Sequence, residues 1–265
     1  MSKELQKVDN ESLDLLKQNF PVEVGFAKIS LPRLGMYSQD KTEGKGKKMV
    51  VTAEAGVFYT ETQADEKDEN GKDVWIKTEL GTEIEGTIVF KRKQLKMYDS
   101  DTEKYTSSPV YDTDDEVLPL FCEKVEVARG TPSELKSKYE YMSEDGKTKS
   151  KLEENVILYV KYNNDIYQMN LRGSSMYSYK GYSRNVLPPS VLTRFSSESK
   201  SKGTIEWNQM KFETIRNLDN EEIDKVLSDV QNIKESIKQV KEYFENSSTN
   251  SPVQSEEDME IIRKF

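Results

Sequence analysis

The stretch ENVILYVKYNNDIYQMNLRG, residues 154–173, is the strongest constraint on the fold. Two runs rich in β-branched and aromatic residues flank Asn163-Asn164, a pair that tolerates the left-handed backbone of a two-residue hairpin turn. An isolated hairpin is marginal in water, so a chain built on this one needs further strands. The sequence supplies them. VEVGFAKISL (22–31), MVVTAEAGVFYTE (49–61), DVWIKTEL (73–80), TEIEGTIVFKRKQLKMY (82–98), EVLPLFCEKVEVA (116–128) and KGTIEWNQMKFETIR (202–216) read as strands. Asn70-Gly71 marks a second hairpin, and Trp75 and Trp207 are assigned to buried positions.

Helices are fewer. Residues 9–19 form a short one by pattern, SELKSKYEYM another. The best lies near the end. Asp219 and Glu222 have capping-box spacing, with Leu218 and Ile223 as a staple. Ile223, Val226, Leu227, Val230, Ile233, Ile237, Val240 and Phe244 then make one apolar stripe, read as a helix packed on a sheet. Residues 99–116 and 174–185 are rich in polar and small residues and read as loops. The expected organisation is an N-terminal helix or arm over 1–20, a β-rich domain over 21–216, a C-terminal helix over 217–245 and a flexible acidic tail over 246–265. The fold class is mainly β, with α+β character.

Composition removes whole classes of chemistry. Histidine is absent from the 265 residues, so the commonest general base and metal ligand are missing. The single cysteine, Cys122, allows neither an internal disulfide nor a zinc cluster, and in LPLFC it reads as a buried structural thiol. GKGKK at 44–48 lacks the spacing of a phosphate loop and reads as a basic loop. Asp112, Asp114, Asp115 and Glu116 lack the pattern of a calcium loop and read as a solvated face. No cofactor, metal site or catalytic residue is assigned, and the expectation is a non-enzyme. A nuclease of scattered carboxylates would be exposed by DNA cleavage with magnesium. With no signal-like or membrane-spanning run, the expected location is the cytoplasm, or the host cytoplasm for a phage protein.

Charge is uneven. The net charge is −9, yet residues 171–216 carry eight cations against three acids, and residues 217–265 six against twelve. Within the positive segment, SSMYSYKGYSRN (174–185) alternates tyrosines with cations and small residues. Unpaired bases stack on rings, and phosphates need cations along the same path. The expected nucleic-acid-binding residues are therefore Tyr177, Tyr179 and Tyr182 for bases, with Arg172, Lys180, Arg184, Lys91, Arg92 and Lys93 for phosphates. Tyr98 and Tyr105 lie near the second basic stretch.

A β-rich body with basic and aromatic stretches, a polar linker (NSSTNSPVQS) and an acidic tail, Glu256, Glu257, Asp258, Glu260 and a final Phe265, resembles the single-stranded DNA-binding proteins of bacteria and phages. That resemblance implies an OB-like antiparallel barrel, here with long loop insertions and a C-terminal amphipathic helix. It implies single-stranded DNA as ligand and a tail that recruits replication or recombination proteins, with no membrane partner; a homo-oligomer is compatible with it. Arg263 and Lys264 depart from the family's compact acidic end. The alternative is a phage structural or host-interaction protein using the tyrosine-rich segment as a protein-binding loop.

Overall fold

The computed structural model describes residues 31–43, 50–67, 73–123 and 125–247. The expected helix over 9–19, most of the strand at 22–31, the GKGKK stretch, the Asn70-Gly71 turn and the tail residues Glu256, Glu257, Asp258, Glu260 and Phe265 lie outside them. The described chain is mainly β. Its strands are β1 (Arg33–Met36), β2 (Lys41–Glu43), β3 (Val50–Ala53), β4 (Phe58–Lys67), β5 (Asp73–Gly81), β6 (Glu83–Asp99), β7 (Lys104–Tyr111), β8 (Leu118–Cys122), β9 (Val125–Gly130), β10 (Glu140–Met142), β11 (Thr148–Ser150), β12 (Glu153–Tyr162), β13 (Asp165–Leu171), β14 (Val191–Lys202) and β15 (Ile205–Asn217). Its helices are α1 (Pro132–Lys138), α2 (Gly173–Tyr182) and α3 (Asn220–Ser247). None of the described helices is long and apolar enough to cross a membrane.

The chain divides into two compact units. Of the described residues, the first holds Leu31–Phe90 and Leu158–Val226, the second Lys91–Ile157 and the chain from Leu227. The long elements β6, β12 and α3 contribute residues to both.

In the first unit the strand order is β5-β4-β1-β13-β12-β6, and the start of β6 also pairs with β14, which pairs with β15. This is an open path of pairings, not the closed antiparallel barrel that the resemblance implies. Most neighbours are antiparallel; β1 and β13 are parallel, with Arg33 opposite Gln168. The Asn163-Asn164 hairpin forms as read, both residues at positive φ. Period-two alternation sends Leu34, Phe58 and Thr60 to the buried side of β1 and β4. Ile88, Val89, Phe90, Leu158 and Val160 are also buried, and Phe90 packs on Tyr159 with ring centroids 5.5 Å apart. Gly86 is required where β6 meets β12, since a Cβ there would lie 2.7 Å from the Lys161 carbonyl oxygen.

In the second unit the order is β6-β7-β8-β9. Leu95, Tyr111, Leu118, Leu120, Leu135 and Leu152 form its core. Helix α1 forms the first part of the short helix expected over SELKSKYEYM, whose end, Glu140–Met142, is strand β10 instead; Thr131 caps the helix, accepting from the Glu134 N–H while Glu134 accepts from the Thr131 N–H. The expected loop over 99–116 is instead a tight turn followed by β7. Its inward positions are Thr106, Ser108 and Val110, so hydrophobic patterning misses the strand. Burial is tolerated because Ser108 Oγ accepts from the Leu95 N–H at 3.0 Å and its hydroxyl donates to the Pro109 carbonyl. Cys122, expected buried, is half-buried.

Helix α3 starts as the sequence predicts. Asp219 accepts from the Glu222 N–H (2.9 Å), Glu222 accepts from the Asp219 N–H (3.0 Å), and Leu218 and Ile223 are both buried. Val226, Val230, Ile233 and Ile237 continue the buried stripe.

Candidate functional site

The predicted tyrosine segment is a helix, not a loop. Gly173, at φ +54°, turns the chain out of β13, and α2 follows over Gly173–Tyr182. Serine hydroxyls seat it on β15. Ser175 Oγ accepts from the Met210 N–H at 3.0 Å, and Trp207 Nε1 donates to Ser174 Oγ at 3.1 Å. At about 100° per residue, Tyr179 and Tyr182 share a face while Tyr177 points roughly opposite. Tyr179 is accordingly 1% exposed and Tyr177 69%. The Tyr179 ring meets Phe212 edge-on at 5.6 Å, the Tyr182 ring stacks on Phe212 at 5.9 Å, and Phe195 meets Phe212 at 5.5 Å. The Tyr182 hydroxyl is 2.9 Å from Thr193 Oγ1.

Tyr179 is therefore a core residue with no face for a base, and burial raises its phenol well above the usual range. Its hydroxyl has no hydrogen-bond partner. Tyr182 is half-buried and held by Thr193. Of the expected stacking set only Tyr177 is freely presented. Arg172 and Arg184 are exposed and Lys180 half-buried.

Lys91, Arg92 and Lys93 lie in the second unit and do not form a basic edge. Arg92 is fully buried, donating to Asp112 Oδ1 (2.9 Å) and to the Val110 carbonyl (3.1 Å). Lys93 donates to both carboxylate oxygens of Asp114 at 2.9 Å, and Lys91 is half-buried. Asp112 and Asp114, read as a solvated face, are thus partners of these cations. The physical reason is period two: in KRK the middle residue faces the interior, where an arginine needs a carboxylate.

A different face of the first unit brings rings and cations together. The register places Arg33 beside Glu61 and Glu61 beside Lys77, Gly35 beside Tyr59 and Tyr59 beside Glu79, and Gln63 beside Trp75. These side chains share the side of β1, β4 and β5 opposite Leu34 and Phe58. The Arg33 guanidinium carbon lies 4.9 Å from the Trp75 ring centroid, and Lys77 Nζ 5.1 Å from that of Tyr59. Between them, Glu61 accepts from Arg33 at 3.1 Å and pairs with Lys77 at 3.5 Å. Tyr37 stacks on Tyr59 with centroids 4.5 Å apart. Gly35 makes this possible. A Cβ there would fall 2.6 Å from the Tyr59 ring, which lies over the backbone of β1. Trp75, expected in the core, is half-buried on this face.

No family model, curated protein or solved structure matches the chain. Its own geometry carries the functional argument. The sheet face brings two aromatic rings and two cations together, and among the described residues no group of histidine, cysteine and carboxylates could hold a metal ion. Rings stack on flat groups and cations pair with anions, and these are the two interactions such a face has to give. Its sequence signal is visible in retrospect: RLGMY, YTETQ and WIK alternate ring or charge with apolar or small residues at period two.

A second aromatic pair lies in the second unit, where β6 turns into β7. Tyr98 and Tyr105 are direct cross-strand partners, their ring centroids 4.7 Å apart and their side chains 52% and 68% exposed. Asp99 braces the turn, accepting from the Asp101 N–H and the Thr102 hydroxyl, and these bonds hold its carboxyl below the usual range. Asp99, Asp101 and Glu103 lie in the turn that joins the two strands, and Lys104 donates to Glu123 at 2.7 Å.

Proposed function

We propose that this chain is a non-enzymatic protein that binds single-stranded DNA with little regard to sequence, acting in replication, recombination or repair in the cytoplasm, and in a phage setting in that of the host. One observation carries the reading: Tyr59 and Trp75 lie on one strand-paired face with Arg33 and Lys77 over their rings. A base stacked on a protein ring contributes about 1–3 kcal/mol and needs no base-specific hydrogen bond. Tyr177, Arg172 and Arg184, exposed on and beside α2, are the part of the sequence-predicted set that fits the same ligand. The fold proposed to serve it is an OB-like arrangement of the first unit. The Asn208 N–H donates to the Ser38 carbonyl at 2.7 Å, tying β15 to the segment after β1, and this supports it.

The test is anisotropy of a labelled poly-dT oligonucleotide at low salt, with duplex as control. Trp75→Ala and Tyr59→Ala each weaken poly-dT binding by about tenfold, as expected for one lost stacking platform. Binding unaffected by both changes, or absent from the intact protein, refutes the proposal.

A second reading, a phage structural or host-interaction protein, is favoured by the Tyr98–Tyr105 tip. The carboxylates of its turn, Asp99, Asp101 and Glu103, repel phosphate, and exposed tyrosines serve protein contacts well. Under it, the intact protein has no affinity for poly-dT at low salt, and Tyr98→Ala with Tyr105→Ala abolishes capture of a protein partner.

A further inference from the structure

The aromatic face is self-neutralised when empty. Glu61 is the hub of that arrangement: its side chain is 14% exposed, against 50% for Arg33 and 46% for Lys77, and it touches both cations. Each cation in turn covers a ring. Arg33 sits over Trp75 and Lys77 over Tyr59, so the two platforms a base would use carry the two groups a phosphate would use. One carboxylate thus holds both cations in the position that blocks stacking.

We infer that Glu61 is the affinity-setting residue of this face, an internal competitor that a strand displaces as it binds; the inference rests on the single-stranded DNA reading above. On binding, the bases take the ring faces and the two cations move from the rings to the phosphates. Glu61 is left without its partners and takes up a cation from solution. That uptake offsets part of the counterion release that normally drives phosphate binding. The wild-type protein therefore binds single strands with a shallow salt dependence, although its ligand is a polyanion. Glu79, on the same face beside Tyr59, brings the face to two cations and two carboxylates and acts in the same direction.

The experiment is a salt series of poly-dT titrations on the full chain, comparing wild type with Glu61→Gln. Glutamine keeps the size and the hydrogen-bonding oxygen and removes the charge. Glu61→Gln tightens binding by about three- to tenfold at low salt, as two partly exposed ion pairs are released. The slope of log affinity against log salt also steepens, by up to about 0.7 for each phosphate newly counted. A merely structural role for Glu61 would weaken binding and leave the slope alone. Folded Glu61→Gln protein with wild-type affinity and slope, or with weaker binding, overturns the inference. Should the glutamine variant fail to fold, Glu61→Asp replaces it. The shorter carboxylate draws back from both cations, so binding tightens part of the way, and an unchanged affinity overturns the inference equally. Trp75→Ala separates the two levels. If it weakens binding while the Glu61 variants have no effect, the DNA reading stands and the role of Glu61 falls. If wild type ignores poly-dT, both fall.

Discussion

Arg92 shows why a basic residue in a strand is not by itself a phosphate ligand. It is the largest fully buried side chain among the described residues, and its ion pair with Asp112 is wholly shielded from water. Such a pair adds little net stability over a well-packed apolar replacement, but breaking it strands a charge. Asp112→Ala should therefore destabilise the protein by about 3–5 kcal/mol, read as a lower midpoint in urea unfolding, whereas Arg92→Met with Asp112→Leu should recover much of that loss. The identity of Arg92 was legible in the sequence; its direction was not, because period two decides direction only once the strand's register is known. Tyr179 teaches the same lesson in a helix, where the tyrosine spacing sends one ring outward and one inward. Trp75 is the converse, a residue read as core that its strand turns to the outer face.

At the level of elements, patterns that combine periodicity with chemistry were readable. The hairpin at Asn163-Asn164 and the capped start of α3 both form as the sequence predicts, because each rests on short-range stereochemistry. Strand β7 and helix α2 were not readable: serines and threonines fill inward positions in one, and a serine- and glycine-rich run is held helical by bonds to β15 in the other. The α3 cap also titrates. The Arg216 guanidinium, bonded to both Glu222 oxygens, lowers the Glu222 carboxyl from 4.5 to about 2, with the Asp219 N–H assisting. Because the folded value is depressed, the stabilisation is present above about pH 4.5 and is lost as pH falls towards 2. The pair is half-exposed, with the Glu222 side chain 31% and that of Arg216 45% open to solvent, so screening limits the effect to about 0.5–1 kcal/mol. Thermal melts of wild type and Glu222→Gln should differ by a few degrees at pH 7 and converge near pH 2.

For the whole molecule, the charge balance is the informative quantity. Under the proposed function, a protein of net charge −9 holds a polyanion against its own field, and stacking must carry a large share of the affinity. The last eighteen residues contain four acids and two cations, so their removal makes the chain less negative. Deleting residues 248–265 should tighten poly-dT binding modestly at low salt and have no effect at high salt, where the field is screened. Weaker binding after the deletion would contradict this charge argument. The division into a mainly β body and a helix was legible from hydrophobic pattern alone. The division into two units was not, because each draws on separated stretches of chain.

That interleaving has a consequence for biosynthesis. Strand β1 finds its parallel partner β13 only after roughly 130 further residues have been made, since Arg33 pairs with Gln168. Until then one edge of the sheet that carries the aromatic face stands open on the ribosome, exposed to other nascent chains. Both units close late, since the first needs Leu158–Val226 and the second the chain from Leu227, so the sheet that carries the aromatic face is completed only late in translation.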